Sequence, residues 1–205
     1  MKINTEDVSI KEQFKVYVMG IKEFADVMKV HNLNDNNIEQ QELAIISITC
    51  GDNSKNSFIP LRHGTHDEHY FKENHINVLN MEFYDISEEY EIDGKVYVPF
   101  TTEQANRLID FIEVNQNKNY IIHCHAGISR SGAVGQFITD FYGWADKATF
   151  RFQYGKRIVP NVEVTKKLKE EWFRRHSKLD SQEYLDMIKK NEVKIVETIN
   201  KEEKE

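Results

Sequence analysis

Between residues 120 and 141 the hydrophobic period changes inside one short glycine-containing turn, and that change commits the centre of the chain to strand, tight turn, helix. Tyr120-Ile121-Ile122-His123 is apolar without alternation, the pattern of a strand covered on both faces. Val134, Phe137, Ile138 and Phe141 then recur at i, i+3, i+4 and i+7, one stripe of an amphipathic helix. Between the two lies His-Cys-His-Ala-Gly-Ile-Ser-Arg-Ser-Gly, residues 123–132.

The rest of the chain alternates in the same way. Phe14 to Met19 mixes aromatic and β-branched residues and predicts a strand. A helix should follow, with Ile21, Phe24, Val27, Met28 and the ring of His31 at helical spacing. Ala44 to Thr49 predicts another doubly covered strand ending at Cys50, and Leu79, Met81 and Phe83 alternate with polar residues as a half-covered strand does. Val96 and Val98 predict a short strand or hairpin arm in 95–100. Thr101 with Gln104 forms a capping box ahead of the stripe Ala105, Leu108, Ile109 and Ile112. Val164, Leu168 and Trp172 predict a helix beyond Pro160. Residues 180–205 carry Leu185, Ile188, Ile195, Val196 and Ile199 among many charges, a further helix that frays at its end.

Composition narrows the function classes. The chain has 205 residues, room for one sizeable domain of the usual ~100–200 residues but not for several. Its 27 basic and 34 acidic residues give a net charge of −7, which repels phosphate backbones and anionic lipid, so neither nucleic acid nor a membrane is expected as partner. No run approaches the roughly 18 apolar residues of a membrane helix, and the first residues lack the apolar stretch of a signal peptide. A cytoplasmic protein is expected. The two cysteines, Cys50 and Cys124, are too few for a disulfide framework; in a reducing compartment each is an inert core residue or a nucleophile. His63, His66, His69 and His75 lie in or beside a polar stretch, but no cysteine or paired carboxylate completes a site, so they read as loop histidines and no metal is expected.

Chemistry concentrates at the central turn. With a strand ending at Cys124 and a helix starting near Arg130, the backbone N–H groups of His125, Ala126, Gly127, Ile128, Ser129 and Arg130 can curl round a tetrahedral dianion, and the positive end of the helix dipole points at the same spot. Gly127 permits the backbone such a cradle needs. Arg130 supplies a planar pair of donors matched to two phosphate oxygens, and the same field favours the thiolate of Cys124. One loop thus builds both a phosphate site and its nucleophile.

His-Cys-x-Ala-Gly-x-x-Arg-Ser-Gly resembles the signature loop of the cysteine-based protein tyrosine phosphatases, particularly the compact dual-specificity branch. NMEFYDI, FTTEQANRLIDFI and YIIHCHAGISRSGAV resemble that branch's acid-loop strand, following helix and phosphate loop, so the likeness spans at least residues 76–142. It implies an α/β fold with a central, mostly parallel twisted sheet flanked by helices. A catalytic domain over 1–177 and a charged helical extension over 178–205 are expected. The resemblance further implies Cys124 as nucleophile, Arg130 as phosphate clamp and Ser131 assisting departure of the thiolate, with no cofactor. His123 either sits behind the cysteine and orders its hydrogen bonding or is a plain buried strand residue.

A leaving oxygen needs a proton, so a general acid should stand on a second loop. Asp85, at the exit of the strand 79–83, is preferred over Asp93, because Glu-Tyr-Glu-Ile-Asp-Gly-Lys-Val-Tyr reads as an inserted hairpin whose turn is Asp93-Gly94. Cys50, at a strand end facing the same sheet edge, is either a buried small residue or a redox partner of Cys124. Asn161 either braces a loop near the site or caps the helix after it. The expected function is hydrolysis of phosphate monoesters through a phosphocysteine, on phosphotyrosine of proteins and also phosphoserine or phosphothreonine. A silent phosphoprotein-binding module, and a phosphatase acting on a phosphoinositide or an RNA 5′ end, are the alternatives.

Overall fold

The computed structural model describes residues 13–50, 68–92 and 94–176. Its elements, in chain order, are β1 (Val16–Gly20), α1 (Ile21–Val30), β2 (Leu43–Thr49), β3 (Val78–Glu82), β4 (Tyr90–Ile92), β5 (Lys95–Tyr97), α2 (Thr102–Val114), β6 (Asn119–Cys124), α3 (Arg130–Phe141), α4 (Lys147–Tyr154) and α5 (Val162–His176). The fold is α/β, as expected. One four-stranded sheet runs in the order β1-β6-β2-β3, every neighbouring pair parallel. The antiparallel component lies apart, in the β4–β5 hairpin, where Gly94 takes φ +74° in the two-residue turn. The hairpin itself is as expected; Asp93, between Ile92 and Gly94 in sequence, lies outside the described residues, as do His63, His66 and residues 178–205.

Side-chain alternation splits the sheet into two buried faces. Tyr120, Ile122 and Cys124 of β6 pack with Ala44, Ile46 and Ile48 of β2 against the apolar stripes of α2, α3 and α5. Ile121 of β6 and Ile45 of β2 join Phe24 and Met28 of α1 on the opposite face. In α2 the capping box is closed at both ends: Gln104 N donates to Thr101 Oγ1 and Thr101 N to Gln104 Oε1. No helix among the described residues is long and apolar enough to cross a membrane.

Three sequence expectations shift, those for His31, His75 and His69. His31 does not continue the α1 stripe: the helix stops at Val30, and Asn32 takes φ 52°, so the chain turns away and leaves His31 exposed. Helix α4, for which no expectation was formed, is capped by Asp146 accepting from Thr149 N, and it buries only Phe150 and Tyr154, too short a stripe to be conspicuous. His75 is also not a solvated loop residue, since it pairs with Asp35 (2.9 Å) and Glu39 (3.2 Å), and the Asp35 hydrogen bond raises its pKa. Among the described residues no group of three or more histidine, cysteine or acidic side chains is placed to hold a metal.

The parallel arrangement fixes where ligands can approach. Gly20 lies level with Cys124, and Thr49 level with Glu82, so β1, β2, β3 and β6 all end on one edge. In open α/β sheets that carboxyl edge is where the crevice forms.

Candidate active site

The loop 125–129 leaves β6 at that edge and enters α3 at Arg130. Its carbonyls are spent outward on the scaffold: His125 O accepts from Ile21 N, Ile128 O from Val159 N, and Ser129 O from Ala133 N and Asn161 N. In a trans peptide the following N–H points the other way, so the amides of Ala126, Ser129 and Arg130 turn toward the concave side. Gly127 sits at φ +71°, and a Cβ there would stand 2.4 Å from Met19 C and 2.5 Å from Gly20 N. Glycine is therefore required twice, by the backbone angle and by the end of β1 pressed against it. Gly127→Ala should cost about 1–3 kcal/mol of stability through strain and a backbone shift, and phosphate binding should weaken with it; thermal unfolding and a phosphate titration check this, and unchanged values in both would contradict the assignment of the cradle.

Cys124 is buried, 2% exposed, at the last position of β6. Its Sγ lies 3.0 Å from Ser131 Oγ, a contact made in the first turn of α3. Ser129 stands at the helix N-cap position but makes no side-chain cap bond; its hydroxyl donates instead to Asp85 Oδ1 at 2.7 Å. The first-turn amides of α3 thus lack the side-chain cap that a serine at this position normally supplies.

Arg130 is 4% exposed and anchored through one nitrogen. Nη1 donates to Phe83 O (2.9 Å), Thr49 O (3.3 Å) and Cys50 Sγ (3.3 Å), all at the ends of β2 and β3. Nε is buried with no hydrogen-bond partner among the described residues. Nε and Nη2 form the side-on edge of a guanidinium, the edge whose spacing matches two oxygens of one phosphate.

Asp85 stands on the loop after β3, and its Oδ1 accepts from both Ser129 and Asn161 Nδ2 (2.8 Å). Asn161 in turn accepts Val164 N on its own Oδ1 (3.0 Å). The two sequence alternatives for Asn161 thus hold together: it caps α5 and braces the Asp85 loop with the same side chain. His123 faces away from Cys124, onto α1, where its ring stacks on Phe24 at 4.0 Å and burial pushes its pKa down to about 3. It is a neutral, buried strand residue. His69 is held by Ser47 and Thr49 of β2 (2.7 and 3.3 Å), and burial lowers its pKa.

The structure therefore brings together Cys124, Arg130, Ser131, Asp85 and Cys50 around the loop 125–129. Sequence reasoning did not foresee the Ser129–Asp85 bond or the anchoring of Nη1 on Phe83 and Thr49. The first joins two residues each singled out for another reason, and the second uses backbone carbonyls, which no side-chain pattern announces.

No family model matches the sequence. No curated protein matches it. Solved structures do. The PTP-2 phosphatase of Cydia pomonella aligns at 19% identity over 76% of this chain and 84% of its own, with a TM-score of 0.43. The human tyrosine phosphatase-like serine/threonine/tyrosine-interacting protein aligns at 18% identity over 76% and 87%, with a TM-score of 0.40. Tk-PTP in its active form aligns at 17% identity over 85% and 88%, with a TM-score of 0.30. Each of these alignments covers at least 76% of this chain.

Proposed function

We propose that this chain is a cysteine-dependent phosphatase that hydrolyses phosphate monoesters on proteins, phosphotyrosine first and phosphoserine or phosphothreonine as further substrates. The observation that carries this reading is the pairing of a buried thiol at a strand end with an arginine whose Nη1 is fastened to backbone while its Nε is buried with no partner among the described residues. A core arginine in a purely structural role satisfies its donors. A phosphate would supply two oxygens to the Nε–Nη2 edge of this one.

The course has two steps. The Cys124 thiolate attacks phosphorus in line, forming the S–P bond as the P–O bond to the substrate breaks, and Asp85 gives its proton to the leaving oxygen. Water then attacks the phosphocysteine while Asp85 takes its proton. Phosphate leaves, and the Cys124 sulfur departs as thiolate with Ser131 Oγ, 3.0 Å away, donating to it. Arg130 and the amides of residues 125–130 hold the equatorial oxygens throughout, as a preorganised anion hole does. No metal enters either step. In this reading residues 1–177 are the catalytic domain, 178–205 an extension to it, the partner is a phosphorylated protein, and the compartment is the reducing cytoplasm.

Cys50 takes the role of resolving thiol: peroxide oxidises Cys124 to the sulfenic acid with loss of water, and the Cys50 thiol displaces a second water to close a disulfide. Peroxide treatment followed by peptide mapping should recover the Cys50–Cys124 pair, and recovery of Cys124 only as higher oxides would remove Cys50 from the scheme. The function itself is tested by hydrolysis of an aryl phosphate in chelator with acid-quench detection of a phosphoenzyme. Turnover with label on Cys124 is expected; no turnover, or label elsewhere, would overturn the reading.

A further inference from the structure

Beside the Asp85 loop lies a cavity of about 280 Å³, walled by Cys50, Glu82, Tyr84, Val96, Val98 and Pro99. It shares structure with the phosphate site without being part of it. Tyr84 is the residue before Asp85, and Cys50 accepts from Arg130. The β4–β5 hairpin reaches it through Val96, beside Tyr97, which packs edge-on to Tyr84 at 5.0 Å and stacks on Tyr90 at 5.2 Å.

The lining divides by chemistry. Val96, Val98 and Pro99 offer an aliphatic surface, and Val96 and Val98 remain 50% and 44% exposed although both sit at the cavity wall. Glu82 brings a carboxylate that is largely open to solvent, with His69 Nε2 3.7 Å away. Burial keeps the His69 imidazole below the ordinary histidine range, so near neutral pH it leaves that carboxylate's charge in place. Glu88, Glu89 and Glu91 are exposed in the segment that leads into and forms β4, and residues 82–100 contain one basic residue, Lys95, against Glu82, Glu88, Glu89, Glu91, Asp85 and Asp93. An aliphatic wall beneath a carboxylate, with a tyrosine ring alongside, fits a long side chain that is apolar along its stem and positive at its tip.

We propose that this cavity is a specificity subsite that takes a lysine or arginine side chain flanking the phosphorylated residue of the substrate. The stem lies on Val96, Val98 and Pro99, and the cation meets Glu82 beside the Tyr84 ring. The subsite rests on the phosphatase reading, since a substrate held at Cys124 and Arg130 is what brings a neighbouring side chain to the hairpin. It makes the acidic balance of the chain useful: the phosphate is drawn by one loop and its basic neighbours by the surface next to it.

Phosphotyrosyl peptides on a neutral background, with one lysine moved through each flanking position, test this against matched peptides carrying norleucine or glutamate there. At one position, or two adjacent ones, kcat/KM should rank lysine above norleucine above glutamate, with a lysine-to-glutamate ratio of about tenfold, the sum of a half-exposed ion pair, its like-charge counterpart and a cation–ring contact. Glu82→Gln should reduce that ratio to about twofold, the residue of the stem contact, and Val98→Lys should invert it. A ratio below about twofold at every position, or one that survives both substitutions, would overturn the subsite while aryl phosphate turnover continued to support the phosphatase reading. Failure to turn over any peptide or aryl phosphate would overturn both.

Discussion

Cys124→Ser is expected to lower turnover of an aryl phosphate by roughly 10⁴-fold to 10⁶-fold, the range seen when a covalent nucleophile is removed from a hydrolase built around it. The substitution changes one atom at a site 2% exposed, so the fold has little reason to respond. A serine hydroxyl keeps the 3.0 Å neighbour, Ser131, but it stays protonated where a thiol ionises. Phosphate binding should survive, because the donors that hold it belong to Arg130 and to the amides of residues 125–130, none of which the substitution removes. The variant should therefore bind inorganic phosphate with an affinity near that of the native chain, measurable by calorimetry, while its kcat collapses. That split between binding and turnover is the signature of a lost nucleophile rather than a damaged loop. Residual activity above about 1% of native, a barrier change of under about 2.7 kcal/mol, would mean that Cys124 does not form the covalent bond.

Why the sulfur was legible from sequence, and parts of its surroundings were not, follows from how each is encoded. Cys124 and Arg130 stand at a junction between two hydrophobic periods, and the junction places them whatever else the chain does: the strand run Tyr120 to His123 must end, the stripe from Val134 must begin, and the glycine between them marks the turn. The same logic located β2, β3, α2 with its capping box, and α5. The orientation of single side chains is a different matter. His123 lies next to Cys124 in sequence, yet strand alternation sends it to the opposite face, against Phe24. Asn161 admitted two readings because a side-chain amide has an acceptor and a donor end, and the structure uses both, the oxygen on Val164 N and the nitrogen on Asp85. The anchoring of Arg130 depends on Phe83 O and Thr49 O, and a carbonyl carries no residue signature at all. What sequence conveys well is periodicity. What it conveys poorly is which of several polar groups meets which across a sheet edge.

Asp85→Asn is the second large effect, and its size should depend on the leaving group. General acid catalysis contributes about 10² to 10⁴ in rate, most where the departing oxygen is most basic. Phenyl phosphate should thus lose about 10²-fold to 10³-fold in kcat, whereas an aryl phosphate whose phenolate is stabilised by a nitro group should lose distinctly less. The local geometry gives the reason that Asp85 suits this task. Oδ1 accepts from two donors, Ser129 Oγ at 2.7 Å and Asn161 Nδ2 at 2.8 Å, which fix the orientation of the carboxyl group. One of those donors belongs to the phosphate loop itself, so the acid is registered against the site where the leaving oxygen will stand. Asparagine preserves the shape and keeps an acceptor for both bonds, but it has no proton to give at the carboxyl position. Asp93, the residue before Gly94 in sequence, offers a direct control, since Asp93→Asn should leave the leaving-group dependence as it is in the native chain. If Asp93→Asn steepens that dependence and Asp85→Asn does not, the proton comes from Asp93, and the loop bridged by Ser129 and Asn161 serves only to shape the rim.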